Sequence, residues 1–376
     1  MKGVFVAPVE SAVAEAGAQP SARALSLLMP RLTRAQLLAG VALLALGFLP
    51  LAFGSFGLYI AAYVAVWAML ELSIVVVTGY AGMISLMPFT FVGIGACTTG
   101  VAVAVWGWPF WLAVPLAALA TVPVSVMVGA ASVRLKGLYL AIATLTFGNA
   151  LGETLFKWDD FTGGQAGHVI ERPKLGALSF SGDFGFYVLS IATALLMVWA
   201  VHGLKNSRAG RAMLAVRDNE REAQALGINA TKAKLTALVV GGMIAGVGGA
   251  FYLALLETVA RSGFQSPYVE LTSLLLVVWA VIGGMDSAFG AFLGAIALIT
   301  QTVVFQGAER VFAWIGVYAA LVLVVFLLLR PGGIVQVVRI QAERIRENPR
   351  RAIPATVIGF GIQVAIIVVI LVYGAE

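Results

Sequence analysis

One carboxylate stands inside an unbroken apolar run. Glu71 lies in SFGLYIAAYVAVWAMLELSIVVVTGY, residues 55–80. An ionisable group in such a run either lines a polar route or bonds to a Ser or Thr on a neighbouring helix. Glu153 and Glu257 fall near the outer ends of apolar runs and read as interfacial groups. Two glycine-rich breaks interrupt the apolar pattern. They are TGYAGMISLMPFTFVGIGA at 78–96 and VIGGMDSAFGAFLGA at 281–295. Backbone groups freed by such breaks can hold a carboxylate or an ammonium where they face protein or water. The competing reading is that the glycines let helices approach closely.

Other chemistry is missing from the sequence. Cys97 is the sole cysteine, so no intrachain disulfide forms and no thiolate metal site is expected. His168 and His202 stand far apart, and no zinc or copper site is expected. No lysine follows a glycine, so the glycine-rich phosphate loop ending in Gly-Lys-Ser/Thr does not occur. Any use of ATP must come from another subunit, and no cofactor is expected on this chain.

The elements that position these residues follow from composition. Of 376 residues, 61% are apolar and 11% charged, with a mean hydropathy of +0.98. Too few polar side chains exist to coat a soluble particle of this size. Soluble enzymes, disordered chains and nucleic-acid-binding domains are excluded. The net charge of +6 then reads as basic loops on one side of a membrane.

A bilayer core about 30 Å thick needs about 20 apolar residues per helix. Spans are expected at 35–53, 58–78, 83–105, 110–133, 137–156, 184–203, 235–257, 271–284, 288–305, 311–329 and 353–373. With the N-terminus inside and strict alternation, 19 of the 24 lysines and arginines fall inside and 5 outside. That asymmetry fixes the orientation. Residues 1–34 lack a signal-peptide core and read as a cytoplasmic N-terminal extension.

The inner loop 204–234, LKNSRAGRAMLAVRDNEREAQALGINATKAK, is charged but patterned. Ala212, Met213, Val216, Ala223 and Leu226 form an apolar stripe, Ser207 is a candidate cap, and Gly227 a candidate stop. Residues 208–226 predict one or two amphipathic helices about 28 Å long in total. They face either anionic membrane lipid or a cytoplasmic partner. The outer loop 157–183 is rich in glycine and polar residues and offers a docking face or a plain solvated loop.

Several of these segments carry a family likeness. TGYAGMISL at 78–86, FVGIGA at 91–96, RLKGLYLAIATLTFG at 134–148, TGGQAG at 162–167, SRAGRAMLAVRDNEREAQALGIN at 207–229 and GGMDSAFGAFLGA at 283–295 occur in order. With them the chain resembles the branched-chain amino-acid ABC importer permeases, specifically the M-type member of the pair. The likeness covers residues 55–335. It implies an all-α polytopic membrane protein, with a ten-helix importer-type core and one extra C-terminal transmembrane helix. The permease domain is then 35–335, and 336–376 a basic cytoplasmic linker with the extra helix.

The resemblance also implies partners. These are a sister permease, two cytoplasmic ABC ATPase subunits that use the ATP, and a periplasmic or lipid-anchored substrate-binding protein. The place is the bacterial inner membrane. The coupling loop toward the ATPase would be carried by Arg211, Arg217, Asp218, Asn219, Glu220, Ala223 and Gly227. Charged side chains would be rim contacts, and the Ala-rich stripe the packed contact. The route would be lined by Gly79, Gly82, Ser85, Pro88, Thr90, Thr144, Asn149, Gly283 and Gly284, with no fixed charge.

The sequence departs from the family pattern at Met83, Met87 and Pro88, which stand where polar or flexible residues are usual. The cargo expected is a branched-chain or other hydrophobic amino acid. Urea, short amides or aromatic acids are the alternative within the same architecture. A stand-alone secondary carrier is the alternative outside it, with Glu71 as its coupling group.

Overall fold

A computed structural model describes residues 54–305, apart from 133, 134, 136, 176 and 177. The expected spans 35–53, 311–329 and 353–373, the extension 1–34 and the segment 336–376 lie outside the described residues.

Apolar runs become helices because a bilayer offers the backbone no other hydrogen-bond partners. Helix α1, Gly54–Ile74, continues as a π-helical turn over Val75–Tyr80. Helix α2 is Pro88–Gly100, with a π-helical turn over Val101–Val105. Helix α3 is Phe110–Ser132 and α4 is Leu138–Glu153. A single turn, α5, covers Asp159–Thr162. Helix α6 is Asp183–Asn206, followed by the short α7, Arg208–Asp218, and α8, Glu220–Ala225. Helix α9 is Ala230–Leu256, α10 is Tyr268–Gly283 and α11 is Gly290–Phe305. Five of these are long and apolar enough to cross a membrane, namely Gly54–Tyr80, Pro88–Val105, Phe110–Ala130, Asp183–Asn206 and Ala230–Leu256.

The described residues are mostly helical, as expected, with one small hairpin. Strand β1, Lys174–Leu175, pairs antiparallel with β2, Leu178–Ser179, in the loop between α5 and α6. This small hairpin has no hydropathy signature. In the same loop Lys174 pairs with Glu171, and that hydrogen bond and charge hold the Glu171 carboxyl below its ordinary range.

The span expected from residue 83 begins instead at Pro88. Proline lacks the N–H that a helix interior needs, and it disfavours helical backbone in the residue before it. Proline suits the first helical position, which is where it stands.

Helix α9 is the axis of the packing, set against α1, α2 and α3. Its glycines permit the approach. A Cβ on Gly249 would overlap the Val92 carbonyl of α2, and one on Gly95 would overlap the backbone of Gly246. Only glycine allows two helix backbones to meet so closely. Helix α6 lies at the edge, with Leu196 and Trp199 exposed as surface for lipid or another subunit.

Candidate functional site

Three segments singled out by composition meet at one end of the helices. The first is the π-helical turn ending at Tyr80 with the non-helical residues 81–87. The second is the turn between α10 and α11. The third is the pair α7–α8.

The first break keeps its backbone satisfied through neighbouring hydroxyls. Thr78 Oγ1 donates to the Met83 carbonyl at 3.0 Å. The Leu86 N–H donates to Thr144 Oγ1 at 3.0 Å, and the Phe89 N–H to Ser273 Oγ at 3.3 Å. A non-helical segment survives at membrane depth only with such partners. Thr144 and Ser273 are themselves buried and hold the break in place. Gly82 takes φ +66°, which only glycine adopts without strain.

The second break packs onto the first. A Cβ on Gly79 would overlap the Met285 carbonyl oxygen, and one on Gly290 the Gly284 carbonyl. Gly284 has φ +111°, and Gly283 rests against Gly290 and Gly294.

The third segment clamps both. Arg217 Nη1, near the end of α7, donates to the Gly79 carbonyl and to Asp286 Oδ1, the latter at 2.7 Å. Its stem lies on Gly82, where a Cβ would come 2.9 Å from Arg217 Cγ. Lys205 Nζ donates to the Asp286 carbonyl at 2.6 Å and lies 5.4 Å from the Tyr80 ring centroid. One guanidinium therefore ties the loop 204–234 to both breaks.

The loop itself folds from local signals. Ser207 Oγ accepts from the Gly210 N–H at 3.1 Å and caps α7. Asn219 is extended, and its Oδ1 accepts from the N–H groups of Arg221 and Glu222, starting α8. The expected single or double helix is thus two, broken at Asn219. Gly227 ends it at φ +81°. Removing the Asn219 cap by Asn219→Ala should cost about 0.5–2 kcal/mol of local helix stability. Hydrogen exchange should then speed up over 220–226 and stay unchanged over α9.

The expected packed contact needs correction in part. Met213, Val216 and Ala223 are buried with Ala233, Ala237 and Leu238 of α9 and with Val75 and Val76. That part of the stripe seals the loop to its own chain. Arg217 is engaged within the chain, and so is Glu220, which pairs with Lys234 at 2.8 Å. Arg211 Nη1 donates to the Asn206 carbonyl at 2.6 Å. Arg211, Asp218, Asn219, Arg221, Glu222, Gln224, Leu226 and Gly227 are exposed, Leu226 at 81%.

Of the remaining route residues, Ser85 and Pro88 line a small cleft with Ser73, Thr78, Gly241 and Gly242, with room for about one water. Thr90 is buried beside Gly148 of α4. Asn149 Oδ1 has no hydrogen-bond partner among the described residues. Sequence reasoning missed Asp286, Lys205, Thr78 and Ser273. Asp286 had a signal, an acidic group between Gly283-Gly284 and Gly290. Thr78 and Ser273 had none.

The sequence matches a known family. A family model described as "Branched-chain amino acid transport system / permease component" matches residues 56–329. The chain belongs to this family. It is 31% identical over 270 residues to the high-affinity branched-chain amino acid transport system permease protein LivM of Salmonella typhimurium. It is 30% identical over the same length to LivM of Escherichia coli. Each match covers 64% of this chain and 62% of the relative's own length. The nucleoside ABC transporter permease protein NupC of Lactococcus lactis is 30% identical over 128 residues, 32% of this chain and 38% of NupC. No solved structure matches. This branched-chain permease family consists of transport components, and with its long apolar helices the chain is a multi-pass membrane protein.

Proposed function

We propose that the chain is a permease subunit of an ATP-driven importer for branched-chain and other hydrophobic amino acids in the bacterial inner membrane. In this reading the core has ten spans, with an added span at 353–373, and the N-terminus is cytoplasmic. A sister permease completes the route. Two ABC ATPase subunits hydrolyse the ATP, and a periplasmic or lipid-anchored binding protein delivers the cargo.

The observation that carries the reading is the Arg217 bridge. A loop that receives force from an ATPase must be joined rigidly to the parts of the route that move. Arg217 joins α7 to the carbonyl of Gly79 and to Asp286, beside glycine turns that can serve as hinges. The buried Met213, Val216 and Ala223 make the loop one body with α9, so movement of the outward edge reaches the spans.

The test is affinity purification from native membranes in mild detergent, with mass spectrometry. Recovery of ATPase subunits and a second permease in near-equal amounts supports the reading. ATP-dependent uptake of leucine by the reconstituted complex completes the support. A chain recovered alone and active without ATP would sink it. The outward edge gives a second check. Leu226→Asp should lower ATPase retention about 5- to 30-fold, as for an interface anchor worth 1–2 kcal/mol. Membrane insertion should stay normal, because Leu226 touches little of its own chain.

A further inference from the structure

Glu71 remains unexplained by the coupling joint. It sits in the last turn of α1, within the apolar span Gly54–Tyr80, fully buried, and neither carboxyl oxygen has a hydrogen-bond partner among the described residues. Among the described residues no serine or threonine hydroxyl from a neighbouring helix meets it, so none of them makes it a helix fastener. A buried carboxyl without partners is costly, by several kcal/mol when charged. Such a group inside a membrane marks a functional position by default.

Two further observations point to what it meets. The first is the cover. A Cβ on Gly294 of α11 would overlap Glu71 Oε2 and would come 2.6 Å from the Trp279 carbonyl of α10. Glycine at 294 thus leaves the carboxyl a niche between α10 and α11. Those two helices are joined by the glycine turn with Gly283, Gly284 and Gly290, whose Asp286 is held by Arg217. The second is the approach. Tyr59, Tyr63 and Trp67 precede Glu71 at intervals of four residues on α1. Their rings follow one another at centroid distances of 6.1 Å and 5.8 Å. Aromatic faces attract cations, and carboxylates pair with them.

We propose that Glu71 is a transit site for the ammonium group of the transported amino acid, reached along the Tyr59–Tyr63–Trp67 ladder and covered by Gly294 until α11 swings at its glycine turn. The proposal rests on the importer reading and names the chemistry the route recognises. A zwitterion crossing the low-dielectric centre needs a counter-charge for its ammonium. Glu71 supplies one where no other acidic side chain of α1 exists. Because α11 hangs from the turn that Arg217 grips, release of the coupling joint and uncovering of Glu71 are one movement.

The experiment uses the complete complex in liposomes. Glu71→Gln keeps the shape and removes the charge. It should lower the maximal rate of ATP-dependent leucine uptake about 10- to 100-fold, the worth of a charge-assisted hydrogen bond. Basal ATP hydrolysis and thermal stability should stay as in the parent, and Glu71→Asp should recover part of the uptake. In a Cys97→Ala background, the Glu71→Cys variant should react with a cationic methanethiosulfonate during ATP turnover, and leucine should slow that reaction. Wild-type uptake retained by Glu71→Gln overturns the proposal. So does loss of uptake without labelling during turnover, which would make Glu71 structural. If the unmodified complex takes up no amino acid at all, the importer reading fails and takes this inference with it. Intact uptake by the unmodified complex with either negative result fails this inference alone.

Discussion

Arg217→Ala should assemble normally and transport about 5- to 150-fold more slowly, the range that a coupling free energy of 1–3 kcal/mol spans. Stability should hardly change. The Arg217 and Asp286 side chains are 33% and 63% exposed, and an ion pair so open to solvent contributes about 0–1 kcal/mol. The bond to the Gly79 carbonyl matters in a different way, because it joins segments that move rather than adding to a static core. Asp286→Ala should act in the same direction. The double variant should lose little beyond the stronger single, since both remove one bridge. Arg217→Lys should not rescue. The lysine stem ends short of the place of Nη1, the one nitrogen that donates to both the carbonyl and the carboxylate, and its ammonium is more strongly hydrated. Uptake per assembled complex, measured together with ATP hydrolysis, checks this. Normal uptake by Arg217→Ala, or fully additive losses in the double variant, would show that the bridge carries nothing.

Gly79→Ala should be worse still, because it strikes packing and coupling together. Its Cβ would lie on the Met285 carbonyl oxygen, a backbone atom that cannot rotate away. Overpacking of this kind costs about 1–3 kcal/mol. The α10–α11 turn must shift to admit the methyl, and Asp286 is the next residue, so the Arg217 bridge stretches at the same time. Folded yield and melting temperature in detergent should both fall, and uptake per folded protein should fall further. Gly203→Ala is the matched control. Nothing lies within 4 Å of its Cβ position on α6, so it should be neutral or gain up to about 1 kcal/mol of helix propensity. Equal behaviour of the two variants would mean that the 79–285 contact is not tight in the membrane.

Much of the coupling loop could be read from local chemistry. Ser207, Asn219 and Gly227 mark starts and a stop by hydrogen bonds and backbone angles that span only a few residues. The direction in which the loop presents itself could not. The apolar stripe of Met213, Val216 and Ala223 told of burial but not of against what, and it turned out to be the chain's own α9. The same holds for Thr144. A threonine in an apolar helix is suited to line a route or to accept from a stranded N–H, and only the position of Leu86 showed that Thr144 does the latter.

The sequence by itself determined that this is a multi-pass membrane protein of the branched-chain permease family. It also marked where most of the described helices run and where the helical pattern breaks. Those features rest on hydropathy, prolines, glycines and caps, each acting within a few residues of itself. The tertiary structure alone decided what the breaks meet. Arg217 meets Gly79 across 138 residues and Asp286 across 69, and Gly294 meets Glu71 across a helix interface. Such contacts leave no periodic trace, because they depend on how whole helices are placed and not on the order of neighbours along the chain.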